Sequence, residues 1–318
     1  MSDITELEDK IENAWVEKYR PQVLDDLIVD EKVRKKIDKM RTDDTWTHIL
    51  LCGIQGHGKT TLAKIIANEI VGGDVLYINA SNESGIDTVR DKIIRFAQTA
   101  SFVDELKIVI MDEFCGFGAQ AQRALRNVME EYSETCRFIL TANRRGSIVS
   151  AILSRCNEID IKPPIKDVVS RMLHILKSES IQIDKSQVPQ IAKLVKFYYP
   201  DIRKTINVIQ DNCSDGVFEL EDIGIRIDII DNIFDRAKNA DLESLRRTII
   251  ENEDSFQKDY HMLLKKTLDF VFALDLPYEV KAPIISILGD HMYKHVHVMD
   301  PEVNAFCAFV KISQVFNE

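Results

Sequence analysis

Residues 53–60 read Gly53-Ile54-Gln55-Gly56-His57-Gly58-Lys59-Thr60, a complete G-x-x-x-x-G-K-T. The apolar run from His48 to Cys52 leads into it, and an amphipathic stretch beginning at Thr61 leaves it. Strand, glycine loop and helix in that order narrow the choice of fold more than any other feature of this chain. The glycines let the backbone turn its N–H groups inward at a helix start, which makes a cradle for phosphate. Lys59 is placed to reach the outer phosphates of a nucleotide, and the Thr60 hydroxyl is placed to hold Mg2+. The expected nucleotide contacts are Gly53, Gly56, His57, Gly58, Lys59, Thr60 and Thr61.

Around this loop, short apolar runs alternate with stretches whose apolar residues recur every three or four positions. The runs are 48–52, 75–80, 107–111, 137–142 and 157–161. That alternation predicts a parallel five-stranded sheet with helices on both faces, joined by right-handed crossovers. Pro163 and Pro164 end it, and helical patterns follow without clear strands. The expected organisation is an α/β P-loop domain over 1–162, a small all-α domain over 163–228, and a second all-α domain over 229–318.

Four more residues are candidates to act with the loop. The third run ends in Met111-Asp112-Glu113, which leaves two carboxylates at the C-terminal edge of the sheet, where α/β folds bind ligands. Asp112 is expected in the magnesium shell, and Glu113 to orient or deprotonate the attacking water. Asn143, ending the fourth run, could hold that water, although Asn is also an ordinary turn residue. Arg155 is a solvated surface charge or a cation reaching a neighbouring subunit's γ-phosphate, and the residues alone leave both readings open.

At this point several boxes, taken together, resemble the replication factor C small subunits and related archaeal and phage clamp loaders, a family of AAA+ ATPases. They are Trp15-Val16-Glu17-Lys18-Tyr19-Arg20-Pro21, the run Ala121 to Glu130, Arg137 to Asn143, Ser154-Arg155-Cys156, and Pro200 to Asn207, in family order. The resemblance implies that Tyr19, Arg20 and Pro21 line an adenine pocket, so that ATP is the nucleotide. It implies that Arg203 contacts the γ-phosphate from a lid domain and that Arg155 acts in trans. The last domain would be a collar holding a hetero-pentamer with several copies of this chain. The partners implied are other loader subunits, a sliding clamp and primer–template DNA. Asp112-Glu113-Phe114-Cys115 in place of D-E-A-D, Asn127 after Arg126, and Ser84 where cellular members carry Arg bring the chain nearer the bacteriophage form.

The net charge of -11 excludes a uniformly basic protein that coats nucleic acid, yet leaves room for a local basic stripe. Arg90, Lys92 and Arg95 follow one another along one helical stretch. Arg90 and Lys92 fit the family's V-R-x-K pattern for tracking a duplex backbone, and a solvated face balanced by Asp87 and Asp91 is the plain alternative. Phe114 and Phe117 lie where the family faces its clamp. Exposed they would suit a hot spot, and burial in the core is the other reading. The six cysteines lack a CxxC pair and read as reduced thiols of a cytoplasmic protein, in the host cytoplasm if phage-encoded. His291, His295 and His297 read as plain helix residues rather than a metal site. No segment has the length or apolarity to span a membrane.

Two rival functions stand beside the loader. A DNA translocase or branch-migration motor of the same superfamily would be expected to carry an aromatic pore loop, which the segment from Ala80 to Lys107 lacks. A scaffold that had lost catalysis would lack one of Lys59, Thr60, Asp112, Glu113, Asn143, Arg155 and Arg203, and all are present.

Overall fold

The computed structural model describes residues 14–71, 74–82, 86–99, 106–218, 221–256 and 258–317; Ser84 lies outside them. Contacts divide the chain into two compact units, one of residues 1–184 and 198–218, the other of 185–197 and 219–318.

The first unit holds the predicted sheet. Its strands are β1 (His48–Cys52), β2 (Val75–Asn79), β3 (Lys107–Asp112), β4 (Cys136–Ala142) and β5 (Cys156–Asp160). Each begins and ends within one residue of the apolar run that announced it. All pair in parallel, in the order β2-β3-β4-β1-β5. Because side chains alternate along a strand, each central strand feeds two cores. Ile49, Leu51, Ile108, Ile110 and Ile139 enter one, with the helices Glu31–Thr42 and Lys59–Ile65. Leu50, Val109, Met111, Phe138 and Leu140 enter the other, with the helices Ile86–Gln98 and Ala119–Glu131. Burial on both faces is why these strands read as unbroken apolar runs, with all six residues of β3 buried.

This strand order decides where the site can be. It sets the C-terminal ends of β1, β4 and β3 side by side, although they lie far apart along the chain. The glycine loop after β1, Thr141 to Asn143 at the end of β4, and Asp112-Glu113 at the end of β3 thus converge on one edge.

Beyond Pro163 and Pro164 the unit continues with the helices Ile165–Ser178 and Ile202–Asp211 and a short hairpin, β6 (Cys213–Ser214) with β7 (Val217–Phe218). The hairpin was not anticipated, since two-residue strands leave no periodicity to read. Trp15 in the helix Trp15–Lys18 donates its N–H to Gln210 Oε1 at 2.9 Å, which ties the N-terminal box to the helix of Arg203.

The second unit is all-helical. Glu221–Lys238, Leu242–Glu251, Tyr260–Ala273, Tyr278–Lys294 and Pro301–Asn317 surround a core that includes Ile233, Leu245, Leu264, Leu288 and Phe309. Aspartates start several helices by accepting a backbone N–H three residues on: Asp30 from Val33, Asp201 from Lys204, Asp241 from Ser244, and Asp259 from Met262. Each such cap is worth about 1 kcal/mol. His291 is a core residue here, its Nδ1 2.9 Å from Asn304 Oδ1.

All six cysteines are free, and burial pushes the thiols of Cys52, Cys136 and Cys156 up, the last to about 12. Among the described residues no helix is long and apolar enough to cross a membrane.

Candidate nucleotide-hydrolysis site

Gly56 and Gly58 adopt φ of 83° each, a left-handed backbone that favours glycine. Space requires glycine as well. A methyl on Gly53 would stand 2.8 Å from the Ile161 carbonyl oxygen, and one on Gly56 3.1 Å from Asp201 Cα. Gly58 then caps the helix Lys59–Ile65, whose first turn points its N–H groups into the loop.

Two pockets flank the loop. The first is lined by Tyr19, Arg20 and Pro21, by Leu27 and Ile28, by Gly56, His57, Gly58 and Thr61, and by Arg171, Arg203 and Ile206. The second, about 290 Å³, is lined by Gly56, Gly58, Lys59, Thr60, Thr61, Ser81, Asp112, Glu113, Thr141, Asn143 and Arg203 among others. The apolar, aromatic walls of one suit a base, and the charged and hydroxyl lining of the other suits phosphates. The structure therefore brings most of the expected site residues together. Gly53 lies just behind, extending the β1–β4 pairing by donating its N–H to the Ala142 carbonyl at 3.3 Å.

Lys59 is buried, and its Nζ donates to the Ile54 carbonyl at 2.9 Å. Desolvation pulls its pKa down and the Asp112 carboxylate opposes that, so the ammonium rests on a nearby negative charge. Asp112 is the hub. Thr60 Oγ1 donates to its two oxygens at 2.9 and 3.0 Å, Thr141 Oγ1 to Oδ1 at 2.5 Å, and the Tyr77 phenol to Oδ2 at 2.6 Å. A threonine hydroxyl beside a carboxylate is the hard-oxygen pair that suits Mg2+. Glu113 takes a left-handed φ of 53°, donates its N–H to Thr141 Oγ1 at 3.0 Å, and accepts from the Ser81 hydroxyl.

His57 is buried, with Nδ1 2.6 Å from the Ile161 carbonyl and Nε2 without a hydrogen-bond partner among the described residues. Desolvation lowers its pKa and keeps the ring neutral. The Tyr19 phenol donates to Glu179 at 2.6 Å, and burial with that carboxylate pushes it up to about 12. Arg171 donates to the Tyr19 carbonyl at 3.0 Å, so the N-terminal box is held from the far side of Pro163.

Two groups of expected residues lie elsewhere. Arg155 lines neither pocket; it donates to the Ala151 carbonyl at 2.7 Å and pairs with Glu130. Arg90, Lys92 and Arg95 are exposed on the helix Ile86–Gln98, whose Val89, Ile93 and Ala97 are buried. At about 100° per residue, Arg90 and Lys92 stand at the edges of the outward arc, with Asp87, Asp91 and Arg95 between them. Phe114 and Phe117 pack edge-to-face at 5.7 Å inside the core, which settles their two readings in favour of burial.

Tyr77, Ser81, Thr141 and Arg171 were not foreseen. Thr141 could not have been, because its place beside Asp112 depends on β4 pairing with β3. Tyr77 could not, because its place beside Asp112 depends on β2 pairing with β3.

Residues 49–163 match the ATPase family associated with various cellular activities (AAA). Residues 160–224 match the AAA+ ATPase lid domain of the sliding-clamp-loader large subunit. The chain is 31% identical to the replication factor C small subunit of Staphylothermus marinus, across 93% of this chain and 94% of that one. It is 32% identical to human replication factor C subunit 5, across 90% and 87%. It is 29% identical to the sliding-clamp-loader large subunit of Enterobacteria phage T4, across 95% and 96%. Among solved structures, the Holliday junction branch migration motor RuvB of Thermotoga maritima superposes with a TM-score of 0.54, over 78% of this chain and 91% of that one. At 18% identity that likeness is one of fold. Set beside a glycine loop, a hydroxyl–carboxylate pair and a lid arginine on one sheet edge, these near-full-length matches establish that the chain belongs to the replication factor C small-subunit family of AAA+ clamp-loader ATPases.

Proposed function

We propose that this chain binds ATP with Mg2+ and hydrolyses it as a subunit of a sliding-clamp loader, working on primer–template DNA. The observation that supports this most directly is the Asp112 hub, where Thr60 from the glycine loop and Thr141 from the fourth strand meet one carboxylate.

In this reading the base lies among Tyr19, Arg20, Pro21 and the first pocket, and the loop N–H groups of Gly56 to Thr60 hold the phosphates. Thr60 and Asp112 would hold Mg2+, which would neutralise charge on the outer phosphates. Lys59 turns from the Ile54 carbonyl toward the same oxygens. Glu113 orients and accepts a proton from the attacking water, and Asn143 holds that water in line. Arg203 lines both pockets, which suits a guanidinium that would reach the phosphates from the lid helix.

Arg155 stands outside its own chain's pockets, which suits a role on the neighbouring subunit's nucleotide. Hydrolysis would then depend on assembly with companion subunits, as a hetero-pentamer containing several copies of this chain. Arg90, Lys92 and Arg95 would touch the DNA backbone; two or three cations per subunit, repeated around a spiral, sum to firm and salt-sensitive binding. The domains proposed are the ATPase domain 1–162, the lid 163–228 and the collar 229–318.

The test is the ATPase rate of the chain with its companion subunit, with and without primer–template DNA and clamp. Stimulation by both together is expected. Hydrolysis indifferent to clamp would instead point to a DNA motor.

A further inference from the structure

Tyr77 is a partly exposed residue, at 43%, on the edge strand of the sheet, where packing alone makes little demand for a phenol. Its hydroxyl nevertheless donates to Asp112 Oδ2 at 2.6 Å, and Asp112 is itself only 6% exposed. The register explains the reach. Asn79 pairs with Asp112 across β2 and β3, and Tyr77, two residues earlier, shares its face of the sheet.

The ring is also braced. Lys64 Nζ lies over it, 5.1 Å from the centroid. Lys64 sits one turn after Thr60 on the helix Lys59–Ile65, so the phenol leans on the helix that delivers the Thr60 hydroxyl.

The other donors to Asp112 leave Oδ2 weakly held. Thr141 grips only Oδ1, and its orientation is set by the Glu113 N–H that it accepts. Thr60 shares one proton between both oxygens at 2.9 and 3.0 Å. Tyr77 supplies the short bond to Oδ2. Without it only the shared Thr60 contact at 3.0 Å remains on Oδ2.

We propose that Tyr77 is a positioning residue that locks the carboxylate of Asp112 in the orientation that holds Mg2+ with Thr60, and so sets how much metal the site needs. This rests on the reading of Thr60 and Asp112 as the metal-holding pair. Removing a group that orients a metal-holding carboxylate costs roughly 10–100-fold in metal affinity.

The experiment measures affinity of the full-length chain for a fluorescent ATP analogue as Mg2+ is titrated, and again in EDTA, for wild type, Tyr77→Phe and Asp112→Asn. Phenylalanine keeps the ring and removes only the hydroxyl. Expected for Tyr77→Phe is a half-saturating Mg2+ concentration about 10-fold higher, with affinity in EDTA unchanged. A Tyr77→Phe midpoint equal to wild type, with Asp112→Asn shifted, refutes the role of Tyr77 and leaves the metal pair standing. A midpoint moved by neither variant refutes both. An equal loss of affinity in EDTA reduces Tyr77 to general support of the pocket and likewise overturns the proposal.

Discussion

The carboxylate of Asp201 lies against the α-carbon of Gly56, so the residue that caps the helix of Arg203 also closes over the glycine loop. A methyl on Gly56 would come 2.7 Å from Asp201 Cγ, and the alanine backbone would have to adopt φ of 83°. Left-handed backbone alone costs a non-glycine residue roughly 1–2 kcal/mol. Gly56→Ala is therefore expected to weaken ATP binding about 10-fold or more. Adding Asp201→Ala should restore part of that loss, because it removes the collision. Additive losses in a double-mutant cycle of nucleotide titrations would show that the two residues do not communicate.

Lys59→Ala removes the buried cation that Asp112 supports. A charge-assisted hydrogen bond of this kind is worth roughly 1.5–3 kcal/mol, so nucleotide affinity should fall roughly 10–100-fold and turnover should reach background. Turnover at the wild-type rate would displace Lys59 from the site.

Arg155 is half-buried and engaged by Glu130 and the Ala151 carbonyl, away from its own chain's pockets. Arg155→Ala should leave ATP affinity of the isolated chain unchanged and lower turnover of the assembly by up to ~10³. Equal weakening of ATP binding in the isolated chain would place the arginine in cis.

Arg90→Glu combined with Lys92→Glu reverses the charge at both edges of the outward arc of its helix. Basal hydrolysis should persist while stimulation by primer–template DNA falls, and the salt dependence of DNA binding should flatten by about one log unit of slope per lost phosphate contact. Stimulation equal to wild type would move the DNA contact elsewhere. The helix itself should stay folded, since Val89, Ile93 and Ala97 hold it to the sheet and Lys107 Nζ caps its end at the Phe96 carbonyl, 2.7 Å away.

His48 sits beneath this machinery at the start of β1. Its Nδ1 accepts the Phe138 N–H at 3.2 Å. Burial, and then the Arg137 charge, lower its pKa to about 4. The folded protein thus keeps the ring neutral while the unfolded chain takes up a proton below its ordinary value of about 6.5. Stability from this group is full above that value and is lost as pH falls toward 4. Denaturation at about pH 7.5 and about pH 5 should differ by roughly 2 kcal/mol on this account. His48→Asn, which keeps an acceptor for Phe138, should flatten the difference; an unchanged slope would assign it to other groups.

Much of this was legible in the amino-acid order because it is local. Gly53 to Thr60, the five apolar runs and the Pro163–Pro164 break are each set by a few consecutive residues. Backbone freedom, side-chain periodicity and missing N–H groups act over that range. Asp112 and Glu113 were legible for the same reason, since a strand ending in two acids points them at the sheet edge whatever its neighbours are.

What only the tertiary structure decided concerns residues far apart in the chain. Pairing of β2 with β3 and of β3 with β4 puts the Tyr77 and Thr141 hydroxyls on Asp112, and nothing near either residue announces a carboxylate. Burial of Phe114 and Phe117, with Arg155 held outside its own pockets, likewise followed from packing. Composition and spacing specify which side chains can do chemistry, because that capacity belongs to each residue. Which of them meet depends on strand order, which is a property of the whole core: the order β2-β3-β4-β1-β5 holds one sheet between two cores and fixes the partners of Asp112.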